Sequence, residues 1–185
     1  MHRMNRFSFA AWPGSRKGIS LLECLVVCMV LGMLMMIMPQ FTFLLDRARV
    51  NLACSEFHQA ILMARAEAIR RQARVDLVPV SAGDWRSGWV VLIDANNNQQ
   101  LDQDELLIHR SEVDIPALRV DAKLRDPKKM YLAFSPGGRP RSANSASIPQ
   151  IGSLLFTVGA QRRKLVMSFL GRVRVCDPDR DALAC

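Results

Sequence analysis

Arg16-Lys17-Gly18-Ile19-Ser20-Leu21-Leu22-Glu23 opens the stretch that decides the fold, and it continues as CLVVCMVLGMLMMIM to Met38. From Ile19 to Met38 there is a single charge, Glu23. As a helix this run extends about 30 Å, the thickness of a bilayer's hydrocarbon core. A secretory signal has an apolar region of only about 7 to 15 residues followed by small residues, whereas this run is longer and ends at Met38-Pro39-Gln40. The sequence therefore predicts a transmembrane helix over 19–39. Arg3, Arg6, Arg16 and Lys17 precede it, so the positive-inside rule keeps 1–18 in the cytoplasm and sends everything after Pro39 across the membrane. Within such a run the Glu23 carboxylate is costly and calls for a cationic partner.

Beyond Pro39, good helix formers continue to about Arg74, with Phe57, Ile61, Ala64 and Ala68 at steps of three and four. That spacing draws one apolar stripe on a helix, so 40–74 reads as its amphipathic half. Arg49, Glu56, Arg65, Glu67, Arg70 and Arg71 occupy the opposite face and read as solvated charges. After Arg74 the pattern shortens to β-rich runs at 75–80, 88–94, 105–110, 117–123, 130–135, 153–159 and 163–175. No helix-length segments separate them, which favours antiparallel pairing over crossover units. The expected class is α+β: a long N-terminal helix packed on a C-terminal antiparallel β-sheet domain over 75–185. The loop 136–149, rich in Gly, Ser, Pro and Arg, is the longest irregular stretch.

Half of the 185 residues are hydrophobic and 23% are charged, a balance that excludes a disordered chain. The net charge of +8 is unevenly spread: 128–176 holds nine cations and no acid, while 177–185 carries −2. An acid-free block of that length suggests an anionic partner. No phosphate-binding glycine loop and no Gly-x-Ser-x-Gly are present, and His2, His58 and His109 form no nucleophilic arrangement. Neither an enzyme nor a cofactor is expected.

The octapeptide at 16–23 resembles the processing site of type IV prepilins and type II secretion pseudopilins: a basic leader ending in glycine, then an apolar helix with glutamate at its fifth position. The resemblance implies cleavage by a prepilin peptidase after Gly18, methylation of the new amino terminus at Ile19, and pairing of Glu23 with a neighbouring subunit's terminal amine during assembly. Isoleucine stands at 19 where phenylalanine is usual. Pro39 resembles the proline that interrupts pilin helices. The likeness narrows to the FimT/GspH group, closest to FimT, through Ala64-Arg65-Ala66-Glu67-Ala68-Ile69-Arg70, Gly88-Trp89-Val90-Val91-Leu92-Ile93-Asp94, Phe134-Ser135-Pro136-Gly137-Gly138 and Gly171-Arg172-Val173-Arg174-Val175-Cys176. It implies the type IV pilin fold, a 1–18 leader, and a protein held single-pass in the inner membrane with its C-terminal domain in the periplasm before it joins a pilus fibre. The implied partners are other major and minor pilins, the prepilin peptidase, the inner membrane before assembly, and DNA bound weakly and without sequence preference.

On a strand, alternate side chains share a face. Arg172 and Arg174 would then stand about 6.6 Å apart, each able to fork onto phosphate oxygens, with Val173 and Val175 facing the core. FimT-like pilins carry a Gly-Arg-x-Arg motif associated with DNA binding in natural transformation, and the resemblance extends that role to this pair. Arg139, Arg141, Arg162, Arg163 and Lys164 are auxiliary candidates. The alternative is structural: a minor pilin that primes assembly, or a GspH-like pseudopilin whose basic strand touches neighbouring subunits.

Two further features carry chemistry. Asp94, Asn96, Asn98, Asp102 and Glu105 fall at EF-hand positions one, three, five, nine and twelve, with Leu101 where an apolar residue belongs. Gln99 replaces the turn glycine, so a polar hairpin is the better reading and calcium the weaker one. Of five cysteines, Cys24 and Cys28 read as small apolar residues of the helix. A Cys176–Cys185 disulfide would close a ten-residue loop, worth roughly 2.5 kcal/mol in the chain-entropy model, leaving Cys54 free. Cys54–Cys176 is the rival pairing.

Overall fold

The computed structural model describes residues 18–111, 114–126, 131–142, 148–181 and 185, without the side chains of 36–40. The leader cations Arg3, Arg6, Arg16 and Lys17, and residues 143–147 of the expected loop, lie outside the described residues. One helix, α1, runs Leu21–Arg71 and continues through Pro39. Its start is a capping signal written in Ser20-Leu21-Leu22-Glu23: the Glu23 N–H donates to the Ser20 hydroxyl at 3.2 Å. An acid in the first turn also suits the positive end of the helix dipole.

The membrane expectation is corrected here. Among the described residues no helix is long and apolar enough to cross a membrane. The transmembrane first half over 19–39 and the single-pass inner-membrane placement with a periplasmic domain therefore do not stand. Residues 1–39 and 40–185 form separate compact units.

Within the second unit the helical stripe is longer than the sequence pattern predicts. Val50, Ala53, Cys54, Phe57, Ala60, Ile61, Ala64 and Ala68 are all buried. Alanine at half of these positions lets strands approach the helix axis closely, and Phe57 is the large side chain that fills the space between them. Its ring meets Trp85 and Trp89 edge-on, with centroids 5.1 and 4.9 Å away, and Phe156 at 5.5 Å. Those aromatics come from two different sheets, where a single sheet was expected.

The first sheet has the order β3-β2-β1-β5-β6, from β1 (Val75–Ser81), β2 (Asp84–Ile93), β3 (Leu106–Ser111), β5 (Leu132–Phe134) and β6 (Pro140–Arg141). The second has the order β4-β7-β8-β9, from β4 (Arg119–Leu124), β7 (Gly152–Val158), β8 (Gln161–Met167) and β9 (Val173–Cys176). All pairings are antiparallel. The α+β expectation thus holds with the sheet divided. The predicted run 163–175 is also split, because the turn Ser168–Arg172 reverses the chain: Gly171 N–H donates to the Ser168 carbonyl and Ser168 N–H to the Arg172 carbonyl, both at 2.9 Å.

The central strand β1 is covered on both faces. Val75 and Leu77 join the main core, while Val78 packs with Val90, Leu92, Tyr131 and Ala133 on the far side. Asp76 shares that far side and is fully buried. Arg74 grips its carboxyl with two hydrogen bonds of 2.7 Å. Burial nevertheless pushes Asp76 up to about 7; Arg74 pulls it down, and neighbouring Asp94 adds to the rise. Between the ordinary carboxylate range and about pH 7 the folded chain holds a proton that the unfolded chain releases. Stability is therefore lost as pH rises through that window. We expect Tm to fall between about pH 4.5 and about pH 7.5, and Asp76→Asn, which stays neutral throughout, to flatten the fall. Thermal unfolding followed by circular dichroism measures both slopes, and equal slopes in parent and variant would contradict the assignment.

Candidate anion-binding face

Residues opposite one another in an antiparallel ladder share a face, so the register of the second sheet sorts its side chains. Val120, Ala122 and Leu124 on β4, Leu154, Phe156 and Val158 on β7, Leu165 and Met167 on β8, and Val173 on β9 face the helix. The other face follows in transverse rows: Arg119, Thr157 and Arg162; Asp121, Leu155, Lys164 and Cys176; Lys123, Ser153, Val166 and Arg174. Among the described residues of these four strands, that outer face sets Arg119, Lys123, Arg162, Lys164 and Arg174 against the single acid Asp121. A groove of about 460 Å³ crosses it between Lys123, Ser153, Leu155, Arg162 and Lys164, with Pro178 at one side.

The expected arginine pair is placed differently from the strand reading. Arg174 lies on β9 opposite Val166, but Arg172 stands one residue before the strand, exposed at the end of the turn. Val173 packs on the core, whereas Val175, on the free edge of β9, is 45% exposed. Gly171 makes the turn possible. Its φ is +78°, and a Cβ there would stand 3.0 Å from Cδ of Pro140. Its carbonyl accepts from Arg65 Nη1 at 3.5 Å. Arg65 is thus committed to the sheet rather than solvated.

Gly138 closes the same seam from the first sheet. A Cβ on it would come within 2.7 Å of Ile69 Cδ1 and 3.2 Å of Arg65 Nε. Three of the four sequence motifs, at 64–70, 134–138 and 171–176, therefore meet at one place. Arg141, on β6, and Arg139, on the turn before it, flank Pro140 at this seam, on the first sheet rather than on the outer face of the second.

The remaining auxiliaries engage the acidic tail. Arg162 pairs with Asp179 through Nε at 3.1 Å and through Nη2. Arg163, on the inner side of β8, donates to Asp177 at 2.7 Å, and Lys164 Nζ donates to the Cys185 carbonyl at 3.2 Å. The Arg162 guanidinium holds the Asp179 carboxyl below the usual carboxylate range. A disulfide joins Cys176 to Cys185 with Cα atoms 5.8 Å apart. Cys54 is a free, buried thiol that burial pushes up to about 11.

At the other candidate positions, Gly18 and Ile19 precede α1 and are exposed, as is Glu23 in its first turn. The loop after β2 turns its oxygens inward on its own donors. Asp94 accepts from the N–H groups of Asn98 and Gln99 at 3.1 and 2.8 Å, Asp102 from both Asn96 and Asn98 side chains at 2.6 Å, and Glu105 from the Ala95 N–H at 3.1 Å. Among the described residues no cluster of His, Cys, Asp or Glu is arranged to hold a metal ion. Sequence reasoning passed over Arg119 and Lys123, although the strict polar and apolar alternation of Arg119-Val120-Asp121-Ala122-Lys123-Leu124 places them on the outer face.

Compared with known proteins, residues 53–171 match the family described as Type II transport protein GspH. The chain belongs to the GspH family. It is 32% identical over 167 residues to the pilin-like protein PilA1 of Thermus thermophilus, covering 87% of this chain and 99% of that one. The fold resembles the crystal structure of the type IV minor pilin FimU from Pseudomonas aeruginosa, with TM-score 0.53 and 15% identity over 73% of this chain and 93% of FimU. GspH-family membership makes the protein a structural member of the pilin and pseudopilin superfamily rather than a catalyst, with other pilin-system proteins as its partners. None of these matches singles out FimT, and the family match ends at Gly171, before Arg172, Arg174 and the tail.

The Gly171 seam generates a test. Gly171→Ala forces a side chain into a left-handed backbone and against Pro140, and we expect a loss of about 1–3 kcal/mol in urea denaturation. Gly137→Ala, whose Cβ would meet nothing nearer than 4.0 Å, should change stability by no more than about 0.5 kcal/mol.

Proposed function

We propose that this GspH-family chain is a structural minor pilin or pseudopilin subunit that takes part in building a pilus-type assembly. The observation that carries the proposal is the first stretch of α1. Leu21, Leu22, Leu25, Val26, Val27, Met29, Val30, Leu31, Met33, Leu34 and Met35 are each more than half exposed, and their positions go all the way round the helix. A helix apolar on every side is stable only when covered, and a bundle of equivalent helices from neighbouring subunits covers it. Glu23, at the start of this surface, suits the role of an acceptor for a neighbour's terminal amine in a low-dielectric bundle, where an unpaired carboxylate would be costly. Glu23→Ala should leave the 40–185 unit folded yet reduce incorporation into sheared filaments, read by co-sedimentation and immunoblotting. Incorporation equal to the parent's would overturn the assembly role.

A second reading adds nucleic acid as a ligand of the assembled subunit. It is favoured by the outer cationic face of the second sheet, with Arg174 upon it and Arg172 beside it, in the Gly-Arg-x-Arg order of FimT-like pilins. Two arginines neutralise few phosphates, so one subunit binds weakly and useful capture needs several copies in one filament. Arg172→Gln with Arg174→Gln keeps length and polarity but removes two fixed charges. It should flatten the salt dependence of duplex binding by roughly 2 in log–log slope, measured by gel shift at several salt concentrations. Binding as tight as the parent's would remove DNA from the reading and leave assembly alone.

A further inference from the structure

We propose that the tail from Asp177 to Cys185 is a built-in competitor for the outer face of the second sheet, so that an anionic polymer reaches Arg162 and Lys164 only by displacing it. This inference rests on the nucleic-acid reading of that face and names its regulation.

The tail's contacts differ in strength along its length. The pair nearest β9, Arg163 with Asp177, is shielded, its side chains only 13% and 18% exposed. Arg163 lies opposite Phe156 on the inner face of β8, and the pair works as an anchor. Farther out, the Arg162–Asp179 pair is open to solvent, at 47% and 44%. An exposed pair is worth little by itself. What makes it effective is the Cys176–Cys185 bridge, which closes the tail into a small loop and keeps Asp179 close to Arg162 at high effective concentration. The loop also places the Cys185 carbonyl on Lys164 and Pro178 at the side of the groove.

Asp179 and the Cys185 carbonyl thus hold the middle cations of the outer face, Arg162 and Lys164, which lie between Arg119 and Lys123 on β4 and Arg174 on β9. With it in place, a phosphate backbone meets cations on both margins and an acidic strap between them. With it displaced, two further cations become available and the margins join into one surface.

The full chain, kept monodisperse in mild nonionic detergent, is titrated with a short random-sequence DNA duplex at several salt concentrations. Asp179→Asn, with the disulfide intact, should steepen the log–log salt slope by about 0.9 and tighten binding about two- to fivefold at low salt. Cys176→Ser with Cys185→Ser frees the whole loop and should steepen the slope by up to about 1.8. The gain from Asp179→Asn should vanish when Arg162 is already glutamine. If the gain persists in the Arg162→Gln background, it comes from net charge and the competitor role is overturned. If both tail variants bind like the parent while Arg172→Gln with Arg174→Gln weakens binding, the tail does not compete and the DNA reading survives. If no chain binds, tail-opened ones included, both readings fall together. Circular dichroism controls folding, and if the serine pair misfolds, Asp179→Asn with its Arg162→Gln cycle decides alone.

Discussion

Phe57 wedged against Trp85, Trp89 and Phe156 is the contact on which the globular unit depends. One residue of the helix touches both sheets, and the alanines around it let both approach. Each sheet keeps one face on the same helical stripe. Their second meeting place, where Gly138, Pro140 and Gly171 crowd against Ile69 and Arg65, fixes their relative position near the end of α1. The outer face of the second sheet is then determined: with Phe156 and Leu165 turned to the helix, Arg162 and Lys164 must turn away from it.

The helix stripe was readable because Phe57, Ile61, Ala64 and Ala68 repeat at helical spacing, and the strands because β-branched runs stop at turn formers. The division into two sheets was not readable. It depends on which edges pair across long separations, such as β1 with β5, and no local pattern encodes that. The run 163–175 looked continuous because Phe169 and Leu170 are apolar, although they sit exposed on a turn. The apolar stretch at 19–38 carried an over-reading of another kind, since hydropathy alone does not fix where a helix is placed.

For the site, composition located the cations but not their partners. The block 128–176 is free of acid, so its arginines and lysine looked unopposed. The acids that oppose them come from the next nine residues, which the fold brings back across β8. Arg65 shows the same limit: on the helix wheel it belongs to the polar face, and only the turn at Gly171 gives it a carbonyl to hold. The calcium spacing at 94–105 likewise matches a sequence pattern, while the folded loop satisfies its oxygens with its own amides.

Only Gln72, Ala73 and Arg74 separate the end of α1 from β1. Any tension carried along the helix therefore arrives at the middle strand of the first sheet, which is laddered to β2 on one side and β5 on the other. A strand in that position cannot peel away from one neighbour. Two rows of hydrogen bonds, with packed side chains above and below, have to yield together. Load passed along α1 is therefore met by a mechanically protected strand, not by an edge that can unzip.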